Sequence, residues 1–426
     1  MRPAKVERRR EAVKQRKAAL LRTSAPLHIL LISRLLLLFL QAVGNWAVTD
    51  HDADAFPSLP TQPRSRMDAA VEFLFRGCAR WDALHFLHIA QYGYTYENNL
   101  AFFPLFPVLV RMLTSSWLPL LPFGSLQPFY ALLLTAVLLN LGIFIAAGYF
   151  LYQTSLNYLR DEKLARLTLF LFSINPASVF FSAAYSESCF TLFTMVGLEL
   201  LSEGEGHLRP EKALLSAAAF GLALLTRANG LLSLIFLAWA IGAPWLTALF
   251  RFKERRNWHS LIWPPVLGVV ALLLLLLPYA YHQVAIFRDF CSGRPKYLPR
   301  PLELLAEERG LVKAVQLERL PWCQRIIPIS YAYIQATYWD VGFLGYFQLR
   351  KIPLFILAAP AIAISAYSCF TALNTVLAEG LTLQLSNRRS LLPLAAHLLL
   401  LTKTVAFCIL YFFVGTLMHA NFLPWT

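Results

Sequence analysis

Long apolar runs alternate with short charged connections over most of this chain, and two polar stretches far longer than the rest interrupt the rhythm. Runs near 20 residues that are apolar on every side read as helices crossing a bilayer. A membrane barrel would need strict apolar–polar alternation instead, and these runs are continuous. The pattern predicts nine spanning helices, at about Pro26–Val48, Leu126–Tyr152, Leu164–Ala184, Ser188–Leu201, Ala213–Leu231, Leu232–Phe250, Leu261–Tyr281, Ile352–Val376 and Leu391–Leu417. Two long loops separate some of them, at about 49–125 and 282–351. The fifth and sixth helices are split by a very tight turn at Arg227, Asn229 and Gly230. Pro57, Pro60 and Pro63 make Phe56–Arg66 an extended linker. Residues 68–92 read as a helix suited to a membrane interface, with Trp81 at headgroup level.

Composition agrees with this class. Hydrophobic residues make up 58% of the 426 and charged residues 15%, against about 45–50% and about 25% in soluble domains. Charge orients the helices. Nine basic residues against Glu7 and Glu11 in residues 1–22 give half of the net +14. Such a terminus suits nucleic acid, but here it abuts an apolar helix and reads as a positive-inside anchor. The connections after helices two, four, six and eight carry Arg160, Lys163 and Arg166; Arg209 and Lys212; Arg251, Lys253, Arg255 and Arg256; and Arg388 and Arg389. All four then share the cytosolic side with the N-terminus, and both long loops face the opposite, lumenal side. No cleavable signal peptide is expected.

Candidate chemistry concentrates on that lumenal side. In Arg80-Trp81-Asp82-Ala83-Leu84-His85-Phe86, helical spacing puts Asp82 and His85 on one face. The pair reads either as a general base with an orienting histidine or as a helix-start carboxylate and a surface histidine. Asp82, His85 and His88 lack the usual i, i+4 spacing of helical metal ligands. Asp50-His51-Asp52-Ala53-Asp54 resembles an acidic metal-binding run and reads better as a solvated turn. No metal site and no cofactor is expected. Glu187 and Arg227 sit at predicted lumenal helix ends, where each charge is expensive within the membrane. They read either as the lining of one polar cavity, with Arg227 suited to phosphate, or as a pair that satisfies itself. Trp339 and Asp340 close the second loop in a pattern that suits a sugar face and equally an aromatic belt. Arg350 and Lys351 are further candidates for phosphate. Cys189, Cys369 and Cys408 lie in apolar stretches and read as packing residues. Cys291 and Cys323 are either a lumenal disulfide or two free thiols. Phosphate-loop, dinucleotide and metalloprotease signatures are missing.

Four blocks give the chain a resemblance. They are Arg80–Phe86 with Tyr92-Gly93-Tyr94 and Phe102-Phe103-Pro104-Leu105-Phe106-Pro107; Asn175–Ser188; Arg227-Ala228-Asn229-Gly230; and Pro321-Trp322-Cys323 through Tyr338–Phe343 to Leu357-Ala358-Ala359-Pro360. Together they resemble the GPI mannosyltransferase 2 family, the phosphatidylinositol-glycan class V proteins, from about residue 26 to 376. After Val376 the likeness fades, and relatives continue beyond Thr426. The resemblance implies an endoplasmic-reticulum enzyme of the GT-C glycosyltransferase fold. It implies dolichyl-phosphate mannose as donor, a one-mannose GPI precursor as acceptor, and a second, α1,6-linked mannose as product. On this reading Asp82 is the catalytic base of an inverting displacement. Trp81, His85, Glu187, Arg227, Trp339, Asp340, Arg350 and Lys351 bind substrate. The chain divides into a basic cytosolic tail (1–25), a membrane-embedded catalytic module (26–376) and a cytosolic loop with a last helix (377–426). A small membrane subunit is left open. Two competing readings are a transferase of the same fold acting on another lipid or protein acceptor, and a non-enzymatic lipid transporter or scramblase. Two long aromatic loops on one side favour a transferase over a transporter.

Overall fold

The computed structural model describes residues 27–48 and 61–341, apart from 123, 203–208, 256–257, 293–297 and 315–319. It also describes Phe56, Leu59, Leu349 and helical pieces between 352 and 374. The described chain is helical, and its one β-type pairing is an isolated bridge between Tyr96 and Lys313. In chain order the helices are α1 (Leu27–Ala47), α2 (Arg66–Phe75), α3 (Asp82–Tyr92), α4 (Leu105–Trp117), α5 (Pro128–Leu159) and α6 (Glu162–Ser173). They continue with α7 (Glu187–Ser202), α8 (Pro210–Leu224), α9 (Leu234–Arg255), α10 (His259–Cys291), α11 (Arg300–Arg309) and α12 (Ser330–Trp339).

Four segments are long and apolar enough to cross a membrane: Leu27–Ala47, Pro128–Leu159, Ala228–Leu246 and Leu261–Cys291. This makes the chain a multi-pass membrane protein. The expected nine spans are not all present among the described residues. α6, α7 and α8 have 12, 16 and 15 residues, short of the roughly 20 needed for a straight crossing. The expected helix Leu164–Ala184 stops at Ser173 because Asn175 and Pro176 follow, and its remainder folds as a turn and a 3-10 segment, Ser178–Phe181. Likewise Ala213–Leu231 ends at Leu224 and passes into a 3-10 segment, Ala228–Ser233. α10 runs ten residues past the expected Tyr281, to Cys291. The helix expected over 68–92 is two helices, parted by a 3-10 turn at Arg76–Cys78. The last expected span, Leu391–Leu417, lies outside the described residues.

The bundle packs in the spatial order α6–α5–α7–α8–α10–α9. Small residues allow the close approaches, as expected where lipid supplies no hydrophobic drive between helices. A Cβ on Gly221 of α8 would lie 2.8 Å from the Leu274 carbonyl of α10. α1 is fastened by buried Arg34. Its guanidinium donates to the carbonyls of Ser173 and Ser178, each at 2.8 Å, and lies 4.1 Å from the Phe144 ring centroid. The long loops are not structureless. α2, α3 and α4 come from the first, and α11 and α12 from the second. They join at one end of the bundle, where Tyr96 packs with Leu298, Leu302 and Ala306 and donates through Oη to the Leu302 carbonyl at 2.8 Å.

Candidate active site

The turn before α3 is gripped from two sides. The Ala184 N–H donates to the Cys78 carbonyl at 3.1 Å, and Tyr185 Oη donates to the Arg80 carbonyl at 3.1 Å. Ala183–Tyr185 is fixed in turn by Asn140 of α5, whose Nδ2 donates to the carbonyls of Ala183 and Tyr185. Buried Cys78 donates through Sγ to Gln41 Oε1 of α1 at 3.1 Å. Between these anchors Trp81 has φ 50° and ψ −121°. A bulky side chain adopts positive φ only under constraint, at a cost of about 1–3 kcal/mol. Trp81 remains 39% exposed, so its indole is presented outward while Asp82 begins α3 half-buried.

Burial pushes the Asp82 carboxyl up to about 7; neighbouring Glu187 adds to the rise, and Arg227 opposes it. Glu187 is the first residue of α7 and is buried, at the helix end where a negative charge is favoured. Its Oε1 accepts from Arg227 Nη1, which also reaches Ser186 Oγ at 3.4 Å. Its Oε2 is buried and has no hydrogen-bond partner among the described residues. Of the two readings of Glu187 and Arg227, the pair is therefore observed, with one acceptor left over. Arg227 reaches this position through a turn folded hard against the end of α8. A Cβ on Gly230 would sit 2.3 Å from the Leu224 nitrogen, so only glycine fits.

His85 is placed differently from either expectation. It is buried, donates from Nδ1 to Asn99 Oδ1 at 2.9 Å, and lies between Phe102 at 4.1 Å and Phe56 at 4.2 Å. Burial drives its basicity down to about 3, so the ring is neutral at physiological pH. It is not a surface histidine, and it carries no charge for a phosphate. His88 pairs with Thr95 Oγ1 at 2.6 Å and is likewise lowered to about 3 by burial. Trp339 reaches this aromatic group from the second loop, 6.1 Å from His85 and 5.8 Å from Phe102. Asp340 follows as the left-handed cap of α12, φ 53°. At the other end of α12, Tyr331 packs on Phe103 at 5.4 Å and lies within electrostatic reach of Arg227. The helix therefore runs from the Phe103 contact to the aromatic group at His85, about 12 Å at 1.5 Å per residue.

Asp82, Glu187 and Arg227 thus lie within electrostatic reach of one another, with Trp81 next in sequence to Asp82, and His85 and Trp339 meet in the aromatic group that begins one turn along α3 from Asp82. Arg350, Lys351 and Asp50–Asp54 lie outside the described residues. Cys291 and Cys323 are bonded, with Cα atoms 5.6 Å apart. Among the described residues no three His, Cys, Asp or Glu side chains come together as metal ligands. Sequence reasoning misses Asn140, Tyr185 and Asn99, which hold residues of the site in place. An amide in the middle of the apolar run 136–147 of α5 is the one available signal for Asn140.

Fold and site define the class: a multi-pass membrane protein with an acid–base cluster where its long loops meet the bundle. Comparison with known proteins narrows it. The family described as mannosyltransferase (PIG-V) matches residues 26–407, beyond the Val376 at which the likeness was expected to fade. The GPI alpha-1,6-mannosyltransferase 2 of Mus musculus is 36% identical over 343 residues, 80% of this chain and 67% of that protein. The GPI mannosyltransferase 2 of Drosophila melanogaster is 32% identical over 345 residues, 80% of this chain and 74% of that one. Among solved structures, an archaeal oligosaccharyltransferase from Archaeoglobus fulgidus covers 94% of this chain and 50% of its own, at 14% identity and a TM-score of 0.35, too slight a likeness to assign a fold. The chain belongs to the PIG-V mannosyltransferase family and is a glycosyltransferase.

Proposed function

We propose that this chain adds the second, α1,6-linked mannose to a one-mannose GPI precursor. The donor is dolichyl-phosphate mannose, and the reaction takes place at the lumenal face of the endoplasmic-reticulum membrane within a GT-C fold. One observation carries the mechanism: a half-buried carboxyl at Asp82, raised to about 7 beside the Glu187–Arg227 pair. A base tuned near the working pH is best matched to general base catalysis. Asp82 takes the proton from the acceptor hydroxyl, and the freed oxygen attacks the anomeric carbon. The bond from that carbon to the phosphate oxygen breaks with its electron pair leaving on phosphate. Attack opposite a β-linked phosphate yields the α-linked product. Lipid phosphate leaves as an anion, so the step needs cationic stabilisation rather than a general acid; Arg227 suits this, with Arg350 and Lys351 as further candidates. Exposed Trp81 offers a flat ring for a sugar face.

The test is complementation of cells lacking the second GPI mannosyltransferase. The wild-type chain is expected to clear the one-mannose precursor and restore surface GPI proteins. Asp82→Asn is expected to express and fold yet leave the precursor accumulated. Near-normal clearance by Asp82→Asn removes Asp82 as the base. No clearance by well-expressed wild type removes the acceptor assignment.

A further inference from the structure

The described structure holds a second buried carboxylate near the site, and its side-chain partners come from the other long loop. Glu97 is 3% exposed and opens a 3-10 turn, Glu97–Ala101. Its Oε1 accepts from Trp322 Nε1 at 2.8 Å, and its Oε2 accepts from Tyr338 Oη at 2.7 Å. Its backbone N–H donates to the Val312 carbonyl at 2.8 Å, and the Ala314 N–H donates to the Thr95 carbonyl at 2.9 Å alongside. Trp322 is fully buried in the 3-10 turn Pro321–Gln324, whose Cys323 is tied to Cys291 at the end of α10. A carboxylate has an acceptor for each donor, and hydrogen bonds to it are stronger and more directional than those to neutral groups.

Both arms held by Glu97 end at the aromatic group beside Asp82. The Glu97–Ala101 turn delivers Phe102 and Phe103. Tyr338 is the residue before Trp339, which packs near Phe102 and His85. We infer that Glu97 is a positioning residue: by joining Trp322 and Tyr338 it fixes α12, and thereby Trp339, at the edge of the site where the acceptor sugar docks. It touches no substrate itself. This inference rests on the function proposed above.

The test uses the full chain in microsomes, with a synthetic one-mannose GPI glycolipid as acceptor and dolichyl-phosphate mannose as donor. Glu97→Ala is expected to raise the acceptor KM about 10-fold while leaving kcat within about threefold, because it removes one charged hydrogen-bond acceptor remote from the chemistry. Donor KM stays unchanged. Tyr338→Phe, which keeps the ring, is expected to raise acceptor KM about fivefold, and the double variant to match Glu97→Ala alone, because the two residues act through one shared hydrogen bond. Glu97→Gln keeps an acceptor for Trp322 and a group for the Tyr338 hydroxyl, and is expected to recover most of the wild-type KM. Where Glu97→Ala fails to fold, as read by its melting transition, Tyr338→Phe and Trp322→Phe carry the same comparison. An unmoved acceptor KM, an additive double variant, or a kcat loss at constant KM overturns the inference while wild-type transfer stands. Failure of wild type to extend the glycolipid overturns the acceptor assignment, and this inference with it.

Discussion

Replacing Glu187 by glutamine should move the acidic limb of the rate profile to lower pH. Asp82 is raised from 3.8 to about 7, with burial the largest cause; three units correspond to about 4 kcal/mol against the charged form. Burial survives the substitution, so the carboxyl stays well above its ordinary value. The charge balance does not survive. In wild type the Glu187 carboxylate repels Asp82 and neutralises Arg227. In Glu187→Gln the repulsion is gone and the guanidinium no longer shares its charge with a carboxylate at position 187. An opposite charge at close range lowers a carboxyl by about 1–3 units. Taking the low end, because Asp82 remains buried, places the variant near about 6. At pH 6 a base of pKa about 7 is about 10% ionised and one of about 6 is about 50% ionised. The variant should then retain about a fivefold larger share of its own plateau rate at pH 6. The assay is kcat/KM for mannose transfer between about pH 5 and 9, read as the position of the limb rather than its height. Reading the position separates titration of Asp82 from any weakening of substrate binding in the glutamine variant. A limb that stays near 7, or moves upward, refutes the electrostatic account of the cluster.

Two further outcomes concern the same carboxyl and the disulfide of the second long loop. The folded value of Asp82 lies above its unfolded value, so its burial carries no penalty below about pH 4, and the penalty grows until about pH 7, to at most about 4 kcal/mol. Asp82→Asn should therefore melt at a higher temperature than wild type at pH 8, with the advantage shrinking towards pH 5. Equal melting at pH 8 would argue against a buried carboxylate. Removing the Cys291–Cys323 bond, which links residues 32 apart, should cost about 3–4 kcal/mol of stability by loop entropy. Paired Cys→Ser variants are expected to melt earlier and to show a raised acceptor KM, because Trp322 loses its neighbouring anchor. An unshifted melt would count against the bond.

The sequence carried the membrane class, both boundaries of α1 and α7 and the starts of α5 and α9 well, because continuous apolar runs and flanking charges set them, whereas α5 and α9 run on to Leu159 and Arg255. It carried α6 and α8 poorly. Many apolar residues continue through Asn175–Phe181 and Leu225–Ser233, while the backbone has already left the α-helix after Ser173 and Leu224. Asp82, Glu187 and Arg227 were legible because a charge near lipid is rare and expensive. Pairing of Glu187 with Arg227 is one of the two readings the sequence leaves open, and the contact between positions 40 residues apart decides for it. His85 misled because its spacing from Asp82 suggests a partner, while its environment is set by Phe56, Phe102 and Asn99, from other segments. Glu97 stayed hidden for the same reason: Tyr96-Glu97-Asn98-Asn99 looks like a polar loop, and its partners Trp322 and Tyr338 lie more than 200 residues away.

The local sacrifices of stability cluster around Asp82. Trp81 is held at positive φ, Asp82 and Glu187 are carboxyls withdrawn from water, and Gly230 sits where no side chain fits. Each is unfavourable alone, and each is over-determined by neighbours that do no chemistry. Asn140 and Tyr185 lock the turn carrying Trp81, and Leu105 N–H donates to the Leu225 carbonyl at 3.0 Å beside the Arg227 turn. Strain of this kind persists only where the surroundings enforce it, and such enforcement gathers at functional sites. The same logic separates the two carboxylates of the first loop. Glu97 has both oxygens satisfied by Trp322 and Tyr338, which suits a fixed strut. Asp82 lies in a cluster where burial, a like charge and an opposite charge hold its proton affinity near neutrality, which suits a group that must take a proton and release it in each turnover.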